Sequence, residues 1–90
     1  PTAIFASNDD MASGVLAVAH RYHVPVPEML SVAGFDDTTL AQVVWPPLTT
    51  IRQDLQAGAR LLVDIVFRQL DGEICEPVQL EPELIVRASS

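Results

Sequence analysis

Lysine is absent from this sequence, and its five basic residues, all arginine, face twelve acidic ones for a net charge of −7. A segment so acidic is a poor match for phosphates in a nucleic acid groove, where clustered positive charge is needed. Cysteine occurs once, as Cys75, which rules out an internal disulfide and a cysteine-built zinc cage. One cysteine fits a reduced, cytoplasmic setting. No apolar run approaches the roughly 18 residues of a membrane span, and no charged-then-apolar leader opens the chain. Charged residues are 19% against 49% apolar, so the chain has enough apolar surface to fold rather than stay disordered. Ninety residues make one small domain or part of a larger one.

Polarity along the chain switches in an ordered way. Ala3-Ile4-Phe5-Ala6 reads as a short strand buried on both faces. It gives way abruptly to Ser7-Asn8-Asp9-Asp10, where Ser7 or Asn8 can cap a helix and the two acids sit in its first turn. Met11, Val15, Val18 and Tyr22 recur at helical spacing, until Pro25 and Pro27 break the ladder. A second strand, residues 30–35, runs into Asp36-Asp37. A weak helix over 39–44 leads to Trp45-Pro46-Pro47, and residues 48–51 form a third strand. Asp54 opens the longest helix, to about Leu70, closed by Asp71-Gly72. Its apolar stripe is wide, which predicts burial against more than one neighbour. Residues 78–80 and 84–87 read as two last strands.

Alternation of strand and helix in this order predicts an α/β fold with a largely parallel sheet, a Rossmann-like lobe. Ligands in such sheets collect at the carboxyl ends of the strands. Asn8-Asp9, Asp36-Asp37 and Arg52-Gln53 each stand where an apolar strand stops, and all three could meet on one rim. A carboxylate with two carboxamides matches the donors and acceptors of a sugar or nucleoside. The same set is poor at catalysis, because amides do not titrate and no nucleophile–base pair accompanies them. The local alternatives are that Asn8 and Asp9 only cap and charge a helix end, and that Asp36 and Asp37 are turn residues. A metal site is not expected: the four acids lack a calcium-loop spacing, and His20 and His23 lack a third ligand.

Three segments in order, Ala6-Ser7-Asn8-Asp9-Asp10-Met11-Ala12, Leu30-Ser31-Val32-Ala33-Gly34-Phe35-Asp36-Asp37 and Pro47-Leu48-Thr49-Thr50-Ile51-Arg52-Gln53, resemble the lactose/galactose-repressor family of bacterial transcription regulators. Leu84-Ile85-Val86-Arg87 is similar to the end of that family's effector-binding domain. The resemblance covers essentially the whole chain. It implies the C-terminal part of a two-lobed, periplasmic-binding-protein-like domain, partial here and without cofactor or enzymatic activity. Residues 1–51 and 78–90 would belong mainly to the C-terminal lobe, and 52–77 would cross to the N-terminal lobe. The helix from Asp54 to Leu70 would then lack its native neighbours and expose an apolar face.

By the same resemblance Asn8, Asp36 and Gln53 contact a small effector between the lobes, with Asp9 a less direct candidate and Asp37 structural. A sugar or nucleoside is the expected effector. The helix around Met11–Ala19 and the segment 41–44 correspond to a homodimer surface. Operator DNA would be reached only through a headpiece that this chain lacks, in a cytoplasmic protein without membrane contact. The alternative is a periplasmic sugar-binding protein of a transport system, which has the same fold and would use the same residues.

Overall fold

The computed structural model describes residues 1–90. In chain order it contains β1 (Ala3–Phe5), α1 (Asp9–Arg21), β2 (Ser31–Ala33), α2 (Thr39–Val43), β3 (Thr50–Arg52), α3 (Leu55–Leu70) and β4 (Glu83–Ile85). The chain divides into two units, one made of Pro1–Arg52 with Glu83–Ser90 and the other of Gln53–Pro82. No helix is long and apolar enough to cross a membrane.

The first unit is built on parallel strands, as the alternation predicts. β1 and β2 pair in parallel from Ala3 opposite Ser31 to Phe5 opposite Ala33. One parallel bridge, Ala33 to Thr49, continues the layer. Beside it the Gly34 N–H donates to the Thr49 carbonyl at 2.8 Å and the Asp36 N–H to that of Ile51 at 2.9 Å. β4 closes the far edge antiparallel to β3, with Arg52 opposite Glu83. The last residues are sewn into the fork between β2 and β3. Fully buried Ser89 donates its hydroxyl to the Val32 carbonyl at 2.6 Å and accepts the Thr49 N–H at 2.8 Å.

The core is small: Ala6, Ala12, Leu16, Val32, Ala41 and Leu48. It is made possible by close approach rather than bulk. A Cβ on Gly34 would lie 2.5 Å from Asp9 Oδ1, 3.0 Å from Leu48 Cδ2 and 3.2 Å from Ala12 Cβ. Glycine at this position lets α1 press onto the strand layer. The buried face of α1 is therefore Asp9, Ala12, Leu16 and Ala19. This corrects the stripe read from the sequence: Met11, Val18 and Tyr22 point outward, Tyr22 being 70% exposed. With Ile4 and Leu30 they line a shallow apolar groove. β1 is likewise not buried on both faces. Phe5 is 66% exposed and Ala3 is exposed with it, while Ile4 between them is partly buried, so only one face of β1 is covered.

The second unit is α3 and the irregular chain that follows it. Asp54 caps α3, its Oδ1 accepting the Ala57 N–H at 2.9 Å. None of the helix's residues is buried. Leu62, Val63, Val66 and Phe67 are each more than half exposed, the apolar face that the resemblance implies for a helix without its neighbours. Residues 78–80, expected as a strand, pair with nothing and form none. Pro77 and Pro82 flank the run and have no N–H to give to a ladder.

Two glycine substitutions test the packing. Gly34→Ala in the intact protein should lower unfolding stability by about 1–3 kcal/mol, the usual cost of forcing atoms into a filled core. Gly14→Ala, in mid-helix with nothing of its own chain within 4 Å of the added carbon, should raise the stability of the monomer by up to about 1 kcal/mol. Urea unfolding of the two variants reads both signs.

Candidate ligand-binding rim

Because β1, β2 and β3 run parallel, their carboxyl ends fall on the same edge of the layer. Asn8 stands three residues past the end of β1 and Asp36 three past the end of β2, so register brings both to that edge. The Asp9 N–H donates to the Phe35 carbonyl at 3.0 Å, tying the two segments together. Gln53 opens the second unit, so the register argument stops at Arg52.

Asn8 is the N-cap of α1, with extended backbone and its Oδ1 accepting the Met11 N–H at 2.8 Å. The capping alternative thus holds for its oxygen, while its half-exposed amide group keeps two N–H donors for other use. Asp36 is exposed, and its carboxylate takes no part in the bonds that hold its loop. Its backbone has φ of 106° and that of Asp37 has φ of 51°, conformations that cost a non-glycine residue of order 1–3 kcal/mol each. The surroundings hold them there.

Asp9 departs from the expectation that it faces a ligand. It is fully buried. Its Oδ1 accepts the Thr50 hydroxyl at 2.6 Å, and its Oδ2 accepts the Thr38 N–H at 2.6 Å and the Thr38 hydroxyl at 3.0 Å. Both oxygens are occupied by the protein's own donors, leaving nothing to offer outward. Thr50 in turn accepts the Asp37 N–H at 3.2 Å. Neither threonine was marked for this role in the sequence: Thr50 reads as a β-former inside a strand, and Thr38 as a polar residue ahead of a weak helix.

Asp37 is structural, in line with the resemblance. Arg52 Nε reaches its Oδ2 and an Arg87 terminal nitrogen its Oδ1, each at 2.7 Å. Arg87 also donates to the Leu48 carbonyl at 2.9 Å. Two arginines at strand ends, in a chain so short of positive charge, were the available sequence signal for this cluster. Burial drives the Asp37 carboxyl up, but the Arg52 and Arg87 guanidiniums outweigh it and hold it below its ordinary 3.8. With the folded value depressed, the ionised group stabilises the fold fully above pH 3.8 and loses that effect as pH falls through the folded value. Asp37→Asn should therefore melt lower than the wild type at neutral pH, and the gap should close on acidification below pH 3.8. Melting curves of the two proteins across pH 2–7 check the sign.

Chemically, the rim offers an exposed carboxylate and a carboxamide on a rigid edge. No group of three metal-ligating side chains converges anywhere in the structure. Hydrogen-bonding recognition of hydroxyls or ring N–H groups is what such a set does best.

The fold has known relatives. The model of the periplasmic binding protein-like domain matches residues 1–90. The ribose operon repressor of Escherichia coli (strain K12) is 35% identical over 92 residues, covering 100% of this chain and 28% of the repressor. Among solved structures, the transcriptional regulator CelR–cellobiose complex superposes with a TM-score of 0.88 at 35% identity, over 99% of this chain and 28% of that one. The lac repressor dimer bound to operator and the anti-inducer ONPF gives a TM-score of 0.92 at 33% identity, over 100% of this chain and 32% of that one. The chain thus spans between a quarter and a third of the length of the proteins it matches. It belongs to the periplasmic binding protein-like domain family, in the form carried by repressors of the lactose-repressor family.

Proposed function

We propose that this chain is the effector-sensing part of a bacterial transcription repressor and that Asp36, Asn8 and Gln53 contact a small sugar or nucleoside. The observation that supports the reading most is Asp36: an exposed carboxylate at the carboxyl end of parallel strands, presented by a backbone kept in an unfavourable conformation. It would accept bonds from adjacent hydroxyls, and Asn8 would donate through the amide group that capping leaves over. Gln53 is included on the family resemblance and on its place one residue after β3.

The effector would regulate by binding one conformation of the full-length repressor better than another, since differential affinity alone moves such an equilibrium. Residues 52–77 are assigned to the crossing into the N-terminal lobe, and operator contact to a separate headpiece. Repression of an operator places the protein in the cytoplasm. The periplasmic transport alternative is set aside because the relatives named above are transcription regulators.

The exposed stripe of Met11, Val18 and Tyr22 on α1 is proposed as part of a homodimer surface, as the lac repressor relative is a dimer. In sedimentation of the full-length protein, Val18→Glu should convert a dimer to monomer, and an unchanged dimer would remove this face from the interface. For the effector, calorimetric titration of the full-length protein with D-ribose, cellobiose and adenosine finds which one binds. Asp36→Ala should then weaken that binding by at least about tenfold, the value of one hydrogen bond to a charged group. Gln53→Ala should cost about three- to tenfold, the value of a neutral one. Unaltered affinity in both variants would remove them from the site.

A further inference from the structure

The loop that presents Asp36 has two successive non-glycine residues at positive φ, 106° and 51°, and such a backbone persists only where its surroundings over-determine it. The restraint is traceable. The Asp37 N–H donates to Thr50 Oγ1 at 3.2 Å, and the Thr50 hydroxyl donates to Asp9 Oδ1 at 2.6 Å. The next residue, Thr38, donates both its N–H and its hydroxyl to Asp9 Oδ2. Thr38 begins α2 as its N-cap residue, yet its hydroxyl makes no cap bond and serves Asp9 instead. From the other side, the Asp36 N–H is taken by the Ile51 carbonyl at 2.9 Å.

We propose that Thr50 and Asp9 are positioning residues of the effector site: a hydroxyl relay and a buried carboxylate behind the rim hold Asp36 and Asp37 at positive φ and so fix where the Asp36 carboxylate stands. The proposal rests on the reading of Asp36 as an effector contact. Thr50 is the narrow point of the relay, because a single oxygen both accepts from the Asp37 backbone and donates to Asp9. Thr50 and Asp9 are both wholly buried, so neither can touch a ligand at this rim itself. Their effect on binding must pass through the loop. Without the relay the loop can relax toward ordinary negative φ, and a carboxylate on a relaxed loop is displaced from its partner hydroxyls.

The test is a double-mutant cycle in the full-length protein, read by calorimetric titration with whichever of D-ribose, cellobiose and adenosine binds. Thr50→Val keeps the shape and removes the hydroxyl; it should weaken binding about tenfold. Thr50→Ser restores the hydroxyl and should return affinity to within about threefold of wild type. In an Asp36→Ala background, Thr50→Val should add less than about a twofold further loss, because the group it positions is gone. An equal loss in both backgrounds would show Thr50 to be a general structural residue and overturn the proposal, as would wild-type binding by Thr50→Val. If Asp36→Ala itself leaves binding intact, the site reading fails and this proposal falls with it, an outcome distinct from failure of Thr50 alone. Should Thr50→Val not fold, Asp9→Asn, which removes one acceptor and adds two donors facing the same threonines, takes its place in the cycle. A crystal structure of the folded variant gives the second readout: positive φ kept at Asp36 and Asp37 overturns the proposal, and relaxation supports it.

Discussion

A carboxylate buried without a cation must be met by hydrogen bonds, or its desolvation costs several kcal/mol. Asp9 meets this demand with three donors from two threonines, Thr38 and Thr50. Those threonines lie on segments 29 and 41 residues away along the chain, so one side chain joins the start of α1, the loop after β2 and the start of β3. Gly34 leaves the space in which this happens. The geometry of the rim is a consequence: Asn8 precedes Asp9 on the cap of α1, and Asp36 stands two residues ahead of Thr38.

A second constraint acts from the outside of the same loop. Asp37 turns its carboxylate to Arg52 at the end of β3 and to Arg87 just after β4. The loop is thus gripped on its inner side by acceptors, the Ile51 carbonyl, Thr50 Oγ1 and the Asp9 carboxylate, which take the N–H groups of Asp36, Asp37 and Thr38. On its outer side two guanidiniums hold the Asp37 carboxylate, and the Asp36 carboxylate is the group left over. The freedom of that carboxylate from internal bonds, beside neighbours that are fully engaged, suits it to the ligand contact proposed for it. The hydrophobic core contributes little to this selectivity; half of its members are alanines, whose role is to let elements approach.

Large apolar side chains are mostly not in that core. Phe5, Met11, Tyr22 and the α3 stripe face outward, while alanines and Leu16 face in. The apolar side chains exposed on α1 and α3 fit the neighbours proposed for them, a second copy and the other lobe. Periodicity reveals that a face is apolar. Which of two adjacent faces turns inward depends on the shape of the partner, and here the smaller one fits.

Much of the architecture was legible from residue order: strand, helix, strand, short helix, strand, long helix, with the caps Asn8 and Asp54 where polarity switches. The exception, residues 78–80, shows the limit, since three apolar-polar-apolar residues without a partner strand make no ladder. Asn8, Asp36 and Gln53 were marked as candidates by strand-end position and resemblance, and the register of the parallel strands brings the first two to one edge. Local sequence determined the elements, their ends and the polar residues that follow each strand, because capping, proline breaks and alternation act over a few residues. The tertiary structure decided that Asp9 turns inward and Asp36 outward. Two aspartates of identical chemistry differ only in which donors the folded chain brings to them from tens of residues away.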